Sequence, residues 1–264
     1  MNFLQSDKAI KLFIVLAGFF ITNAVLAEFI GVKIFSLEQS LGIQAVSFSF
    51  FGFGPLSFNL TAGVLLWPIV FTLTDILNEY FGIKGVRFLS YLAVTLICFS
   101  FLVVFAAIRL VPADFWPMSH LDQSIPIDKI EVKNLNTAFA LVFGQGLWII
   151  FGSMVAFLIG QILDVFIFHK VKEKTGDKKL WLRAGISTLI SQFVDSYIVL
   201  FIAFYISAKW SLTQVLAIGT MNYIYKFIVA ILLIPVIYLV HFLIDNYLGK
   251  ELSQAMRTKA MLSE

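Results

Sequence analysis

The apolar residues of this 264-residue sequence occur in runs that are each long enough to cross a lipid bilayer. A transmembrane helix needs about 20 apolar residues to cross about 30 Å of hydrocarbon. Because lipid offers the backbone no hydrogen-bond partners, runs of this length predict α-helices. We place the spans near residues 11–36, 57–81, 88–110, 137–168, 181–207 and 213–243. The pattern predicts an all-α, polytopic integral membrane protein with six transmembrane helices, in which residues 1–264 form a single membrane domain.

The composition agrees with this fold class. Hydrophobic residues make up 60% of the chain and charged residues only 13%, against roughly 25% charged residues in soluble domains. Such a low share of charge excludes a water-soluble fold. The single cysteine, Cys98, excludes an intramolecular disulfide and a metal site built from several cysteines.

The basic residues are distributed unevenly between the connections of the six predicted spans. Most of the 19 Lys and Arg residues lie in the terminal segments and after the second and fourth spans: Lys8, Lys11, Lys84, Arg87, Lys170, Lys172, Lys174, Lys178, Lys179, Arg183, Lys250, Arg257 and Lys259. Since Lys and Arg mark cytoplasmic connections, both termini are predicted to be cytoplasmic. We expect the first helix to be retained, because it reaches spanning length without a small-residue cleavage pattern. No basic patch with interleaved aromatic residues indicates a nucleic-acid partner.

Polar residues lie inside the predicted second and fifth spans. An ionisable side chain in a span costs about 2.5–3.5 kcal/mol on insertion scales and is by default a functional candidate. The second span carries four polar residues at helical spacing: Thr72, Asp75, Asn78 and Glu79. The fifth span carries Ser187, Thr188, Ser191, Gln192 and Asp195 on neighbouring stripes. Each stripe must face protein or a hydrated cavity rather than lipid.

The fourth and sixth spans add further small and polar residues. The fourth has a small-residue seam, at which another helix can approach closely, and two polar residues that extend it: Gly146, Ser153, Ala156, Gly160, Gln161 and Asp164. The sixth has a polar turn and a proline that predicts a kink: Asn222, Tyr223, Lys226 and Pro235.

Each of these polar residues has a structural alternative. Ser, Thr and Gln often only bond across membrane helices. Lys226 either belongs to a site or neutralises one of the aspartates, and Glu79 and Asp164 either belong to a site or anchor the ends of their spans. We expect the two deeper carboxylates, Asp75 and Asp195, to converge on one hydrated pocket inside the bilayer.

The sequence contains few of the residues that catalysis in a membrane requires. The three histidines, His120, His169 and His241, lie in a loop or near span ends, which excludes an intramembrane Ser–His dyad and a His-rich zinc site. No glycine-rich phosphate-binding loop with its lysine is present. We therefore expect no enzyme activity, no metal and no cofactor, and we expect a transporter of small solutes.

Four ordered segments carry a family resemblance. They are residues 67–68 with 74–82, residues 160–165 with Phe168, Arg183 with 187–189 and 195–196, and residues 222–223 with Lys226 and Pro235. Together they resemble the queuosine precursor transporter family, which is also called the vitamin uptake transporter (VUT) family. The resemblance implies a six-helix carrier of the bacterial inner membrane. It would import 7-deazaguanine bases such as 7-cyano- or 7-aminomethyl-7-deazaguanine for tRNA modification.

The substrate-binding candidates follow from the polar pattern and this resemblance: Asp75, Asn78, Glu79, Gln161, Asp164, Ser187, Gln192, Asp195, Asn222, Tyr223 and Lys226. A guanine-like edge presents adjacent N–H donors that one carboxylate can accept, while its acceptors need Gln, Asn or Ser donors. We hypothesise that Asp75 or Asp195 accepts from the base and that Tyr223 stacks on it. The first span lies outside the matching segments, so no role is carried over to Asn23, Glu28 or Lys33.

Several alternatives stay open at this point. The chain could be a solute-binding membrane component that works with a separate energising complex. Uptake could be coupled to protons through the buried carboxylates, or could be facilitated diffusion followed by metabolic trapping, which would need the same residues. The small-residue seam of the fourth span suits a homodimer as well as packing within one chain.

Overall fold

The computed structural model describes residues 7–119, 132–144, 147–175, 180–206 and 209–262. Within these residues the chain forms helices over most of its length. They are α1 (Asp7–Ile30), α2 (Leu37–Ser40), α3 (Trp67–Ile108), α4 (Leu135–Phe143), α5 (Leu147–Thr175), α6 (Leu180–Leu200), α7 (Leu212–Leu248) and α8 (Lys250–Leu262). A π-helical turn, Phe201–Ile206, continues α6.

Five helical stretches among the described residues are long and apolar enough to cross a membrane: Asp7–Ile30, Ala62–Ile108, Leu135–Thr175, Gly185–Ile206 and Leu212–Leu248. Large apolar side chains such as Phe19, Leu102 and Leu232 point outward from these helices, as lipid contact requires. Buried aromatic side chains, including Phe20 and Phe157, pack between them. The predicted all-α, polytopic membrane fold is confirmed.

Helix α3 contains two of the predicted spans. Its 42 residues would extend about 63 Å if straight, roughly twice the thickness of the hydrocarbon core. Thr74 and Ser90, each eight residues from Gly82, both place their hydroxyls within 3.5 Å of the Gln161 side-chain oxygen, although a straight helix would separate them by about 24 Å. The chain therefore reverses at Gly82, which has φ 68° and ψ −174°. We name the two antiparallel halves α3a (67–81) and α3b (83–108), and they correspond to the second and third predicted spans.

The reversal at Gly82 leads to a first prediction. Its backbone angles lie in a region that is essentially restricted to glycine, where another residue costs about 1–3 kcal/mol. Gly82→Ala is expected to lower the thermal unfolding midpoint of the detergent-solubilised protein. Gly18→Ala is the matched control, because Gly18 lies in α1 with no atom within 4 Å of an added Cβ. Equal midpoints for the two variants would contradict the prediction.

Residues 31–66 form short strands instead of continuing the flanking helices. The first helix ends at Ile30 and α3 begins at Trp67, so the predicted limits of 36 and 57 were wrong. The strands are β1 (Ile34–Ser36), β2 (Phe48–Phe50), β3 (Phe53–Leu56) and β4 (Asn59–Thr61). β1 pairs antiparallel with β4, and β2 with β3. The glycines and the proline of this segment stop helices, and its alternating Phe and Ser or Gly residues suit strands.

Glu38 holds this segment together. Its carboxylate accepts a hydrogen bond of 2.8 Å from the Phe58 backbone N–H and one of 3.4 Å from the Ser36 hydroxyl. Burial acts to raise the pKa of Glu38, but these hydrogen bonds outweigh burial and hold the pKa below its ordinary value. The carboxylate of Glu38 therefore stays ionised and ties α2 to the chain before β4.

Both described ends of the chain lie at one end of the helix bundle. The Lys8 ammonium donates to the Tyr247 carbonyl at 2.9 Å, which places the start of α1 beside the end of α7. The Tyr80 hydroxyl donates to Asp245 at 2.8 Å, so the reversal at Gly82 is also at this end. We name it the terminal end. Helix α8, which the sequence analysis did not predict, packs here through Ser253, Met256 and Ala260.

Candidate functional site

Two carboxyl groups from different helices meet on the hydroxyl groups of α6. Asp75 of α3a accepts hydrogen bonds from Ser187 at 3.2 Å and from Thr188 at 2.9 Å. Asp164 of α5 accepts from Ser191 at 3.2 Å, and the Ser187 and Thr188 hydroxyls also approach it. Asp75 is 1% exposed and Asp164 is fully buried. The structure thus brings Asp75 together with Asp164.

Asp195 lies in a different part of the same interface. Its carboxylate forms an ion pair with the Lys226 ammonium of α7 at 2.5 Å. Asp195 follows Thr188 by seven residues, which corresponds to about 10 Å along a helix. Asp75 and Asp195 therefore have separate partners, whereas we expected them to share one pocket. Lys226 therefore neutralises the charge of Asp195, which is one of the two roles that the sequence analysis left open for it.

Two buried amide side chains in this region have no hydrogen-bond partner. Asn78 of α3a and Gln192 of α6 are at most 1% exposed, and neither the nitrogen nor the oxygen of either amide is paired. The Gln161 oxygen accepts from Thr74 at 2.9 Å, while its nitrogen is also unpaired. Each unpaired buried group costs about 1–3 kcal/mol, so native proteins rarely retain several of them together without a role.

Glu28 of α1 joins this region, although the sequence analysis assigned it no role. It is 6% exposed and accepts a hydrogen bond from the Ser153 hydroxyl of α5. Asp195 lies close enough for the two carboxyl charges to interact. The signal was present in the sequence, because Glu28 is an ionisable residue inside an apolar run. It was set aside because the first span lies outside the segments of family resemblance.

We name these groups the polar layer. It consists of the buried polar side chains at the contacts of α1, α3a, α5, α6 and α7: Glu28, Thr74, Asp75, Asn78, Ser153, Gln161, Asp164, Ser187, Thr188, Ser191, Gln192, Asp195 and Lys226. The small-residue seam of α5 makes its close contacts possible. An added Cβ at Gly160 would lie 3.4 Å from the Phe71 ring and 3.7 Å from the Asp195 Cβ. Gly146, the first residue of that seam, and the Arg183 side chain lie outside the described part of the structure.

The remaining candidates of the sixth span lie at the edge of the polar layer. Asn222 and Tyr223 are half-buried on α7, which continues as a helix through Pro235. The Tyr223 ring packs edge-to-face on Phe193 of α6, with the ring centroids 5.1 Å apart. Tyr223 therefore contacts Phe193, the residue after Gln192, and lies one turn before Lys226 on its own helix.

Glu79 belongs to a separate ion-pair network at the terminal end. Its carboxylate accepts from the Lys172 ammonium at 2.9 Å, and both side chains are at most 1% exposed. Arg257 of α8 lies 3.8 Å from the other Glu79 oxygen and donates to both oxygens of Asp245 at 2.8 Å. This network joins α3a, α5, α7 and α8. It ties Glu79 to helix packing rather than to the polar layer.

A cleft between α3a, α6 and α7 lies beside the polar layer. Its cavity volume is about 30 Å³, which is room for a few water molecules at most, so the cleft is narrow in this conformation. Its walls are mostly aliphatic, including Leu189 and Ile234, with the hydroxyls of Thr72 and Thr188 as polar groups. Since Thr188 also donates to Asp75, this hydroxyl connects the cleft with the carboxyl pair.

Comparison with known proteins agrees with this architecture. A family model described as "Putative vitamin uptake transporter" matches residues 61–240. A "Probable queuosine precursor transporter" of Bacillus subtilis is 29% identical over 195 residues, covering 72% of this chain and 76% of that protein. A protein of the same name from Haemophilus influenzae is 25% identical over 178 residues, covering 67% and 66% of the two chains. No solved structure matches. The family match extends from the start of α3a into α7 and so includes most of the polar layer, and the chain belongs to the vitamin uptake transporter family.

Proposed function

We propose that this protein imports a queuosine precursor, a 7-deazaguanine base such as 7-cyano- or 7-aminomethyl-7-deazaguanine. The names of the two relatives support this substrate class. The observation that carries the proposal is the pair of buried, unpaired amides, Asn78 and Gln192. A side-chain amide both donates and accepts, which matches the mixed donors and acceptors of a guanine-like edge.

In this proposal the base binds at the polar layer, which it reaches when the narrow cleft beside Thr188 widens. Asp75 or Asp195 accepts from the adjacent N–H groups of the base, since an ionised carboxylate can accept two parallel hydrogen bonds. The side-chain amides of Asn78 and Gln192 form hydrogen bonds with the remaining donors and acceptors along the edge of the base. The remaining candidates that support these contacts are Gln161, Ser187, Asn222, Tyr223 and Lys226.

The ion pairs and rings have distinct parts in the proposal. Lys226 offsets the charge of Asp195 inside the membrane through their ion pair. Tyr223, held by Phe193, offers an aromatic face to the flat base. We propose that Glu79 closes the terminal end of the bundle through its ion pair with Lys172 and that it does not contact the base.

We further propose that the protein lies in the bacterial inner membrane with the terminal end in the cytoplasm. This end carries Lys8, Lys172, Arg257 and the basic residues around them, as expected for cytoplasmic connections. The protein works as an autonomous carrier. Uptake by the purified chain in liposomes, without added proteins, supports an autonomous carrier, and uptake only with an added energising complex supports the alternative of a binding component.

Gln192 provides the direct test of the site. Gln192→Leu removes both unpaired amide groups at similar volume, so thermal stability should stay equal or rise. Uptake of the labelled base should fall about tenfold or more, as expected for the loss of one or two hydrogen bonds of 1–1.5 kcal/mol. Gln254→Leu is the matched control on the exposed face of α8 and should leave uptake unchanged.

The assay uses cells that cannot synthesise the precursors and lack their own carrier. Each base is supplied in the medium, and the queuosine content of tRNA is measured together with uptake of the label. Undiminished uptake by Gln192→Leu would remove this residue from the site. Absence of uptake by the wild-type protein for every 7-deazaguanine base would overturn the proposed function itself.

A further inference from the structure

Asp164 is a buried carboxyl group whose two oxygens are unequally satisfied. It is fully buried, and its Oδ1 accepts from Ser191 at 3.2 Å. Its Oδ2 has no hydrogen-bond partner. Among the described side chains, no Lys or Arg lies within ion-pair distance of Asp164. An isolated ionised carboxylate is very costly to bury, and such groups take up a proton instead.

Two carboxylates on the neighbouring helices are neutralised by cations. Glu79 pairs with Lys172 and Asp195 with Lys226, at 2.9 and 2.5 Å. In each pair the ammonium offsets the charge of the carboxylate. Asp164 differs from both acids in its surroundings, because no described cation lies beside it.

The hydroxyl groups of α6 supply a second, independent observation. Ser187 and Thr188 each have one hydroxyl hydrogen, and each donates it to Asp75. Both hydroxyls also approach Asp164, and a hydrogen that is donated to one carboxylate is not available to the other. The two carboxyl groups therefore compete for the same two hydroxyl hydrogens, and a proton held by Asp164 removes this competition.

The charged and titratable side chains around Asp164 are consistent with one exchangeable proton. From α3a, Asp75 faces it across the shared hydroxyls, and from α6 and α7 the Asp195–Lys226 pair is already neutral overall. On its own helix, His169 and Lys172 follow one and two turns later, and Lys172 is paired with Glu79 of α3a. The like charge of Asp75 disfavours ionisation of Asp164 and so favours proton uptake by this group.

We propose that Asp164 is the proton-carrying residue of transport, an inference that rests on the proposed import function. The Asp164 carboxylate takes one proton from the outer side, which gives a neutral carboxyl in the conformation seen here. Rearrangement of α6 moves its hydroxyls relative to Asp75 and Asp164 and opens the layer toward the terminal end. The proton and the base then leave to the cytoplasm, and Asp164 returns ionised to the outward-facing state. No covalent bond of the base is made or broken.

The test uses the purified full-length chain in liposomes with a labelled 7-deazaguanine base. Two activities are measured: exchange of the base without a pH gradient, and accumulation when the outside is one pH unit more acidic. Coupling to one proton allows about tenfold accumulation per pH unit. Asp164→Asn is expected to keep exchange within about threefold of wild type, because Asn is a neutral isostere of the protonated acid. Its gradient-driven accumulation is expected to fall to the level seen without a gradient.

Controls separate folding, binding and coupling. Asp114→Asn, at an exposed aspartate outside the spans, should behave as wild type in both assays. Asp164→Glu retains a titratable group and should retain part of the accumulation. A pH-sensitive dye inside the liposomes should report proton entry on addition of the base for wild type and none for Asp164→Asn.

Four outcomes would overturn the inference. If the wild-type protein exchanges the base but does not respond to the pH gradient, transport is not coupled to protons, while the proposed import function is unaffected. Wild-type-like accumulation by Asp164→Asn shows that another group carries the proton. If Asp164→Asn loses exchange together with accumulation while keeping its thermal stability, Asp164 is a base-binding residue rather than a proton carrier. Absence of exchange in the wild-type protein defeats the proposed function and this inference together.

Discussion

Replacing Lys226 with methionine is expected to destabilise the protein strongly and to abolish uptake. The substitution removes the cation that lies 2.5 Å from the Asp195 carboxylate, whose side chain is only 13% exposed. Breaking a buried ion pair by removing one partner costs about 3–5 kcal/mol, because the remaining charge is left without compensation. The thermal unfolding midpoint in detergent should therefore fall well below that of the wild type.

The double variant Lys226→Met with Asp195→Leu separates stability from function. Apolar replacement of both partners of a buried pair is often neutral or stabilising, so the unfolding midpoint should recover. Uptake should stay lost, because the proposed site then lacks the Asp195 carboxylate. Recovery of uptake along with stability would show that the pair serves packing alone. Lys250→Met, at an exposed position, is the control for loss of a lysine.

Lys172→Met is expected to produce the second large effect, at the terminal end. Lys172 and Glu79 are at most 1% exposed and 2.9 Å apart, so the loss of the ammonium should lower the free energy of unfolding by about 3 kcal/mol or more. Arg257 lies 3.8 Å from Glu79 and offsets only part of this loss. The control is Lys170→Met on the same helix, since Lys170 is exposed and lies over the Phe166 ring.

The same pair tests our assignment of Glu79 to helix packing. Glu79→Gln combined with Lys172→Met removes both charges and should regain much of the lost stability. With the bundle restored, the substrate concentration for half-maximal uptake should match that of wild type. A large increase in that concentration, at normal stability, would place Glu79 in the substrate site.

Much of the fold was predictable because lipid imposes a length and a composition on each crossing. The spans near 88–110 and 213–243 correspond to α3b and α7 within a few residues at each end, apart from the end of α7 at Leu248. The predicted end of the first span and the predicted start of the second were wrong. Both fell within residues 31–66, where short Phe-rich strands are apolar enough to resemble helix ends. Hydropathy measures the transfer of side chains to lipid and does not distinguish a helix end from an apolar hairpin.

The candidate site was predictable in its residues but not in its pairings. The stripe of Asp75, Asn78 and Glu79 follows from helical periodicity, yet Glu79 bonds to Lys172 at the terminal end, away from the other two. Asp75 meets Asp164 and not Asp195. Periodicity assigns a residue to one face of its own helix. It contains no information on how far neighbouring helices are shifted or rotated against each other.

The sequence by itself determined that this chain spans the membrane several times and that carboxyl, hydroxyl and amide groups lie within its spans. Those properties depend on residue type and position along the chain, which the cost of polar groups in lipid makes easy to interpret. Only the tertiary structure decided that Glu28 belongs to the polar layer, that α3 reverses at Gly82, and which acids have a cation beside them. These depend on distances of a few ångströms between helices, which close packing of the whole bundle sets.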